Sequence, residues 1–291
     1  MKVAVFSDVQ GNIQAFEQAI AIIDAWQPDL VATAGDLINR GPDNHSCLAL
    51  FEQRRRQHGW LAVRGNHEAW VSRWSREGAR TPQEQAMFAF TDWTCRQLGE
   101  LAQRLDHWPD HLCFDAPGDR PGCGADLWVH IAHGTLAGNR DGISPRTADE
   151  SLQDKLPADL ALYITGHTHK VHTRRVLGMD IVNVGSVGSP FDDDPRGSLG
   201  LFSFYRGRWH TEIRRFDYDR EQSTRRFEES GFLDQGGPLA QVIFAEWQQA
   251  RPLLAHWRHQ YEAAVMAGEV DLQWSVDQFL RTEPQHNNNH R

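Results

Sequence analysis

The first 65 residues alternate between short apolar runs and helical stretches, and this alternation constrains the fold more than any other feature of the chain. "KVAVFS" (residues 2–7), "LVATAG" (30–35) and "WLAVRG" (60–65) read as buried strands. From Asn12 to about Trp26, apolar Ile13, Phe16, Ala19, Ile20 and Ile23 recur every three or four residues, the spacing of a helix face. Asn12 suits its N-cap, and Pro28 lies just beyond its end. Residues 45–57 form the next helical stretch. Strand, helix, strand at this spacing requires parallel βαβ units and a layered α/β fold.

The alternation then pauses. Between Pro82 and about Leu105, residues Ala86, Phe90, Trp93, Gln97, Leu101 and Leu105 fall near one helical face, which predicts a long helix over the top of the sheet. After Pro109 the pattern turns to β, from "LCFDA" (112–116) to "RWHTEIRRF" (208–216), with hairpins expected at Leu177-Gly178 and Arg206-Gly207. From about Arg220 the chain is helical again. The expected organisation is an α/β domain over 1–230, with 82–109 as a helical cap segment, and a helical C-terminal extension over 231–291. The closing "PQHNNNHR" reads as a frayed polar tail.

A chain of 291 residues can bury roughly 75% of its unfolded surface, and 40% apolar residues supply the core to do it. The net charge of −9 argues against a general nucleic-acid-binding surface, which needs an excess of Lys and Arg. An anionic substrate therefore needs a local positive centre, such as a metal ion. Cys47, Cys95, Cys113 and Cys123 form no CxxC pair and read as reduced thiols. A strand-like run directly after Lys2 predicts no signal peptide, and no apolar run reaches about 18 residues, so the expectation is a cytoplasmic protein with no membrane span.

The polar residues at the strand ends carry the chemistry. The first three strands deliver Asp8, Asp36 and Asn66; later ones deliver His133 and the pair His167 and His169 in "GHTH". A single polar residue at a strand end is usually a turn or cap residue. A whole series is different, because the carboxyl ends of strands in an open α/β sheet share one edge where ligands bind. Imidazoles and carboxylates together suit Mn²⁺, Fe or Zn²⁺. One carboxylate, naturally Asp36, can bridge two cations, and two cations about 3.5–4 Å apart form the clamp used for in-line displacement at phosphorus. An extended backbone through "GHTH" is expected to place His167 and His169 on the same side, so that one imidazole can serve each ion.

The ordered series Asp8-x-Gln10-Gly-Asn, Gly35-Asp36-x-x-Asn39-Arg40-Gly41, Gly65-Asn66-His67-Glu68, His133-Gly134 and Gly166-His167-Thr168-His169 resembles the calcineurin-like metallophosphoesterase superfamily. "DWTCRQL" and "LDHWP" (within 92–109) and "NVGSVGSPFDDDPRGSLGLF" (183–202) resemble its small bacterial and archaeal phosphodiesterase-like branch. The resemblance covers about residues 1–230 and implies a four-layer α/β/β/α sandwich with a dinuclear site at one sheet edge. It implies a first ion held by Asp8, Gln10, Asp36 and His169, and a second by Asp36, Asn66, His133 and His167. It also implies His67 beside the leaving oxygen, Asn39 behind it, and Arg40 and Arg64 on the phosphate. Gly11, Gly41, Gly65, Gly134 and Gly166 are expected to let the backbone turn sharply beside the ions.

Two residues depart from the family pattern. Position 10 is commonly His, and Gln10 offers a weaker amide oxygen, which shifts the first site toward Mn²⁺ or Mg²⁺ and away from Zn²⁺. Relatives that act as protein phosphatases usually carry Asp at position 39; Asn39 cannot raise the pKa of His67 as a carboxylate does. Such a site favours good leaving groups. The leading expectation is a two-metal phosphoesterase, Mn²⁺ foremost with Fe, Mg²⁺ or Zn²⁺ as alternatives. Its substrate is expected to be a small phosphodiester or nucleotide, attacked in line by a metal-activated water. The alternatives are a Ser/Thr protein-phosphatase-like phosphomonoesterase, and a weakly catalytic scaffold such as the metallophosphoesterase-fold subunit of the retromer coat.

Overall fold

The computed structural model describes residues 1–116 and 128–283; Cys123 and the 284–291 tail lie outside the described residues. Strand β1 (Lys2–Phe6) leads into helix α1 (Ile13–Trp26), then β2 (Leu30–Thr33), α2 (Asn44–His58), β3 (Leu61–Ala62) and α3 (Asn66–Glu77). Asn12 caps α1 by accepting the Ala15 N–H at 3.2 Å, and the helix stops where Gln27 turns left-handed. β1 is buried on both faces, which explains its unbroken apolar run. Ala4 and Phe6 face the helices, where Phe6 meets Phe16 and Phe51 at 5.4 and 6.2 Å between ring centres. Val3 and Val5 point the other way, toward a second sheet. Each fully buried ring of this kind stabilises the fold by roughly 1.5–3 kcal/mol. β3 is shorter than expected, because Val63 still donates to Thr33 but the Arg64 N–H turns away to Pro109.

The expected long helix over 82–109 is instead three short ones, α4 (Pro82–Met87), α5 (Ala89–Leu98) and α6 (Leu101–Arg104), followed by a 3₁₀ turn. The breaks fall at Phe88 (φ −106°, ψ 25°) and at Gly99, which is left-handed at φ 54°. The segment serves two cores, and a straight helix could not. Met87, Phe90 and Trp93 pack against the C-terminal helices, whereas Leu98, Ala102 and Leu105 join the core beside α2 and α3.

Strands β4 (His111–Asp115), β5 (Trp128–Ala132), β6 (Leu162–Thr165), β7 (Val171–Val176) and β8 (Met179–Val184) form the second sheet, in the order β4-β5-β6-β8-β7. β9 (Gly197–Tyr205) and β10 (Arg208–Phe216) return to the first sheet, ordered β10-β9-β1-β2-β3. β7–β8 and β9–β10 are hairpins, and Leu177, Gly178, Arg206 and Gly207 all adopt the left-handed conformation of a type I′ turn. The two sheets pack through Val3, Val5 and Ala32 on one side and Ile131, Leu162, Ile164 and Val182 on the other. Helices flank the first sheet. The connection carrying Ile143, Leu152, Leu156 and Leu160, with a 3₁₀ turn at Asp149–Leu152, covers the second. The architecture is the expected α/β sandwich of two mixed sheets.

Helices α7 (Arg220–Glu229), α8 (Phe232–Gln235), α9 (Pro238–Gln249), α10 (Leu253–Trp257), α11 (Ala263–Met266) and α12 (Leu272–Thr282) complete the chain. Their core of Phe227, Phe232, Trp247, Trp257 and Phe279 takes in Met87, Phe90 and Trp93 of the cap segment. Apolar packing runs through residue 230, since the rings of Phe227 and Phe232 lie 5.7 Å apart. No helix among the described residues is long and apolar enough to cross a membrane.

Candidate metal centre

The carboxyl ends of β1, β2, β5 and β6 and the start of α3 meet at one edge of the sandwich. There Asp8, Asp36 and His169 form one donor cluster, and Asp36, His133 and His167 another. Asp8, Asp36, His167 and His169 all adopt left-handed backbone conformations, with φ of 55°, 55°, 69° and 56°. The "GHTH" backbone is therefore not extended as expected, although its two imidazoles still join different clusters. Such conformations cost non-glycine residues about 1–3 kcal/mol each. Glycine would relieve that strain but brings no donor atom.

The donor atoms meet lone pair to lone pair. His133 places Nδ1 2.7 Å from the Ala34 carbonyl, an acceptor only, so that nitrogen carries the proton. In the neutral ring Nε2 is then a bare lone pair, yet it faces Asp36 Oδ2 at 3.1 Å, Asn66 Oδ1 at 3.0 Å and His167 Nδ1 at 3.3 Å. His169 repeats the arrangement. Its Nδ1 bonds to the Ser189 carbonyl, and its Nε2 lies 3.0 Å from Asp8 Oδ1. Asp8 Oδ1 and Gln10 Oε1 are buried and receive no hydrogen bond. Crowded acceptors without protons between them fit divalent cations, so this donor set passes the test for metal binding. Protons compete with cations for the same place. Burial opposes charging His133, but Asp36 overrides it and lifts the imidazole to about 10. Burial also opposes ionising Asp36, yet His133 and His67 hold its carboxyl far below the usual range.

Gly11 turns as expected, at φ 65°, whereas close approach explains Gly65 and Gly166. A Cβ on Gly65 would lie 2.0 Å from Asp36 Oδ1, and one on Gly166 2.7 Å from Asp8 Oδ2. Neither glycine has a positive φ, so the expected sharp turn is not their role. Glu68, quoted within the motif but given no task by sequence reasoning, is fully buried. Its carboxylate accepts the N–H groups of Gly65, Asp36 and Leu37 at 2.7–2.8 Å, which fixes the Asp36 loop. The available signal was its place three residues into α3, where a Glu reaches back to the helix start.

His67 sits beside this cluster, its Nε2 3.9 Å from Asp36 Oδ2. The Thr94 hydroxyl donates to Asn39 Oδ1 at 3.0 Å, which turns the Asn39 amide so that Nδ2 donates to His67 Nδ1 at 2.8 Å. His67 is therefore neutral with its proton on Nε2. Burial pushes its pKa down to about 3; Asp36 works against this, and Arg40 adds to it.

A cavity of about 460 Å³ opens over these groups. Its polar side carries Asp36, Asn39, Arg40, Asn66, His67 and His167, and its apolar side Trp70, Phe88, Leu239 and Leu254. Arg64 is not brought there. Its guanidinium pairs with Asp110 at 2.8 Å and Asp106 at 3.4 Å, on the side toward which its strand has already left the ladder. Sequence reasoning also missed Phe191, whose ring stacks on His169 at 4.1 Å, and Glu246, which pairs with Arg40. Phe191 lies within the quoted 183–202 segment, and the one signal at Glu246 is that it is the lone charged residue of α9.

A family model described as calcineurin-like phosphoesterase matches residues 1–171. Serine/threonine-protein phosphatase 1 of Salmonella typhimurium is 36% identical over 83 residues, 28% of this chain and 34% of that protein. The match thus spans about a third of that relative's length. A metallophosphoesterase from Sphaerobacter thermophilus is similar at TM-score 0.63 and 23% identity, over 86% of this chain and 100% of that one. A hypothetical protein from Pyrococcus horikoshii OT3 is similar at TM-score 0.64 and 13% identity, over 82% and 97%. At these identities the two solved structures attest the fold.

Proposed function

The chain belongs to the calcineurin-like phosphoesterase family, and from that premise we propose that it hydrolyses small phosphodiesters or nucleotides with two divalent cations. Asp8, Gln10, Asp36, Asn66, His133, His167 and His169 would hold them, Mn²⁺ foremost, with Fe, Mg²⁺ or Zn²⁺ as alternatives. The observation that carries this reading is the set of facing lone pairs at the floor of a cavity that also holds a guanidinium and a neutral imidazole. When bound, such ions activate water and neutralise charge at phosphorus.

The protein's own groups do the rest. Asp36 belongs to both donor clusters and ties them together. Arg40 binds phosphoryl oxygens with the donors it has free. His67 aims its Nε2–H at the leaving oxygen. A neutral imidazole is a weak acid, so it stabilises developing charge more than it delivers a proton, which suits aryl and phosphoanhydride leaving groups. The wall of Trp70, Phe88, Leu239 and Leu254 shields the organic part of the ester from water.

A second reading, a phosphomonoesterase acting on phosphoserine or phosphothreonine, is favoured by the match to serine/threonine-protein phosphatase 1. Asn39 speaks against it, because it keeps His67 from protonating an alkyl leaving group. Turnover of bis-p-nitrophenyl phosphate, p-nitrophenyl phosphate and a phosphoserine peptide by the Mn²⁺-loaded protein decides between them. A kcat/KM highest for the diester supports the proposal, and one highest for the peptide overturns it in favour of the second reading. Metal binding with no turnover of any of the three would leave a scaffold.

A further inference from the structure

Arg40 is held from outside the strand-end motifs. Its Nη2 donates to Oε1 of Glu246, on α9, 206 residues away in sequence. Only 1% of the Glu246 side chain and 12% of the Arg40 side chain are exposed. The second carboxylate oxygen, Oε2, accepts the Leu254 N–H at 3.0 Å, so both oxygens of Glu246 are engaged. Among the described residues the Arg40 guanidinium makes no other hydrogen bond, and it lies 5.6 Å over the ring of Phe191. Arg40 also adopts a left-handed backbone, φ 60°, which fixes where its side chain starts. A buried carboxylate is expensive unless a cation meets it, and an apolar side chain would fill the same space at lower cost. Glu246 is therefore poorly explained as packing between α9 and the Asp36–Gly41 loop.

We propose that Glu246 is a positioning residue for phosphate binding: it holds one edge of the Arg40 guanidinium and aims the remaining donors into the cavity. The C-terminal helices then form part of the substrate site as well as its wall. This inference rests on the phosphoesterase reading. Glu246 has two opposed effects, since its charge offsets that of Arg40 while its bond fixes the direction of the guanidinium. In a site built for divalent cations the positive field does not depend on one guanidinium, so direction is the larger effect.

The test titrates inorganic phosphate calorimetrically into the Mn²⁺-loaded full-length protein, and measures KM and kcat on bis-p-nitrophenyl phosphate alongside. Glu246→Gln keeps the volume and the acceptor for the Leu254 N–H. It should weaken phosphate binding and raise KM by about tenfold, the scale of one lost charge-assisted bond, with kcat within about twofold. In an Arg40→Ala background the same substitution should change neither value, because the two residues act through one contact. Glu246→Asp, which keeps the charge but draws it back, should give an intermediate loss, and decides the matter if the Gln variant does not fold. Unchanged or tighter phosphate binding in a folded Glu246 variant would overturn the inference, as would an equal loss with and without Arg40. Phosphate binding without any turnover would instead overturn the phosphoesterase reading, leaving the titration to decide the role of Glu246.

Discussion

The two donor clusters that share Asp36 are built differently. On one side Asn66 Oδ1 stands 2.7 Å from His167 Nδ1 and 3.0 Å from His133 Nε2, two imidazoles and an amide drawn tightly together. On the other, Asp8 and His169 supply one carboxylate and one imidazole, while Gln10 has an unpartnered Oε1 and only a long 3.4 Å contact from Nε2 to Asp36. The first arrangement is richer in nitrogen and more closely packed. The second is harder, looser and depends on oxygen. Ligand type and preorganisation set both affinity and metal preference, so the two-cation proposal requires two sites of unequal strength at one fold edge.

Removing the shared residue should empty both clusters. Asp36→Asn deletes the negative charge common to both clusters, and metal affinity should fall at least about a hundredfold at each, with activity lost. Elemental analysis of the dialysed variant checks this; retention of one full equivalent would mean that Asp36 serves one cluster only. His67→Ala should separate chemistry from both clusters. Metal content should stay the same while kcat falls by roughly 10²–10⁴, least for a p-nitrophenolate leaving group. Equal losses for good and poor leaving groups would mean that His67 does not act at the leaving oxygen.

Asn39→Asp should act in the opposite sense. A carboxylate would accept a hydrogen bond from a protonated His67 Nδ1 and raise the imidazole pKa, making the ring a proton donor at neutral pH. Turnover of alkyl esters should rise about tenfold and that of aryl esters hardly change. A rate series across leaving groups of graded pKa reads this out, and an unaltered slope would contradict the tautomer assigned through Thr94. The smallest effect belongs to the weak cluster itself. Gln10→His should tighten it by about tenfold and move its preference toward Zn²⁺ or Fe, narrowing the gap between the clusters. Unchanged calorimetric isotherms would mean that residue 10 does not face the ions.

Much of this was legible in the sequence because it depends on local rules. Period-three and period-four spacing located α1, and the apolar run within residues 2–7 located β1. Strand ends located Asp8, Asp36 and His133, because topology alone brings such residues to one edge. What was not legible depends on partners distant in sequence. The broken cap at Phe88 answers to a second core built by residues after 220. Arg64 turned to Asp106 and Asp110, acids that lie about forty residues later. Glu246 is the lone acidic residue of α9, and its task appears only when the fold sets it against Arg40. Glu68 lay between the two cases, since its capping position could be read but its hold on the Asp36 loop could not.

Anomalous scattering from crystals of the full chain grown in saturating Mn²⁺ tests the central claim most directly. The account predicts two peaks flanking Asp36, a strong one among Asn66, His133 and His167 and a weaker one beside Asp8, Gln10 and His169. A single peak, or none, would contradict it.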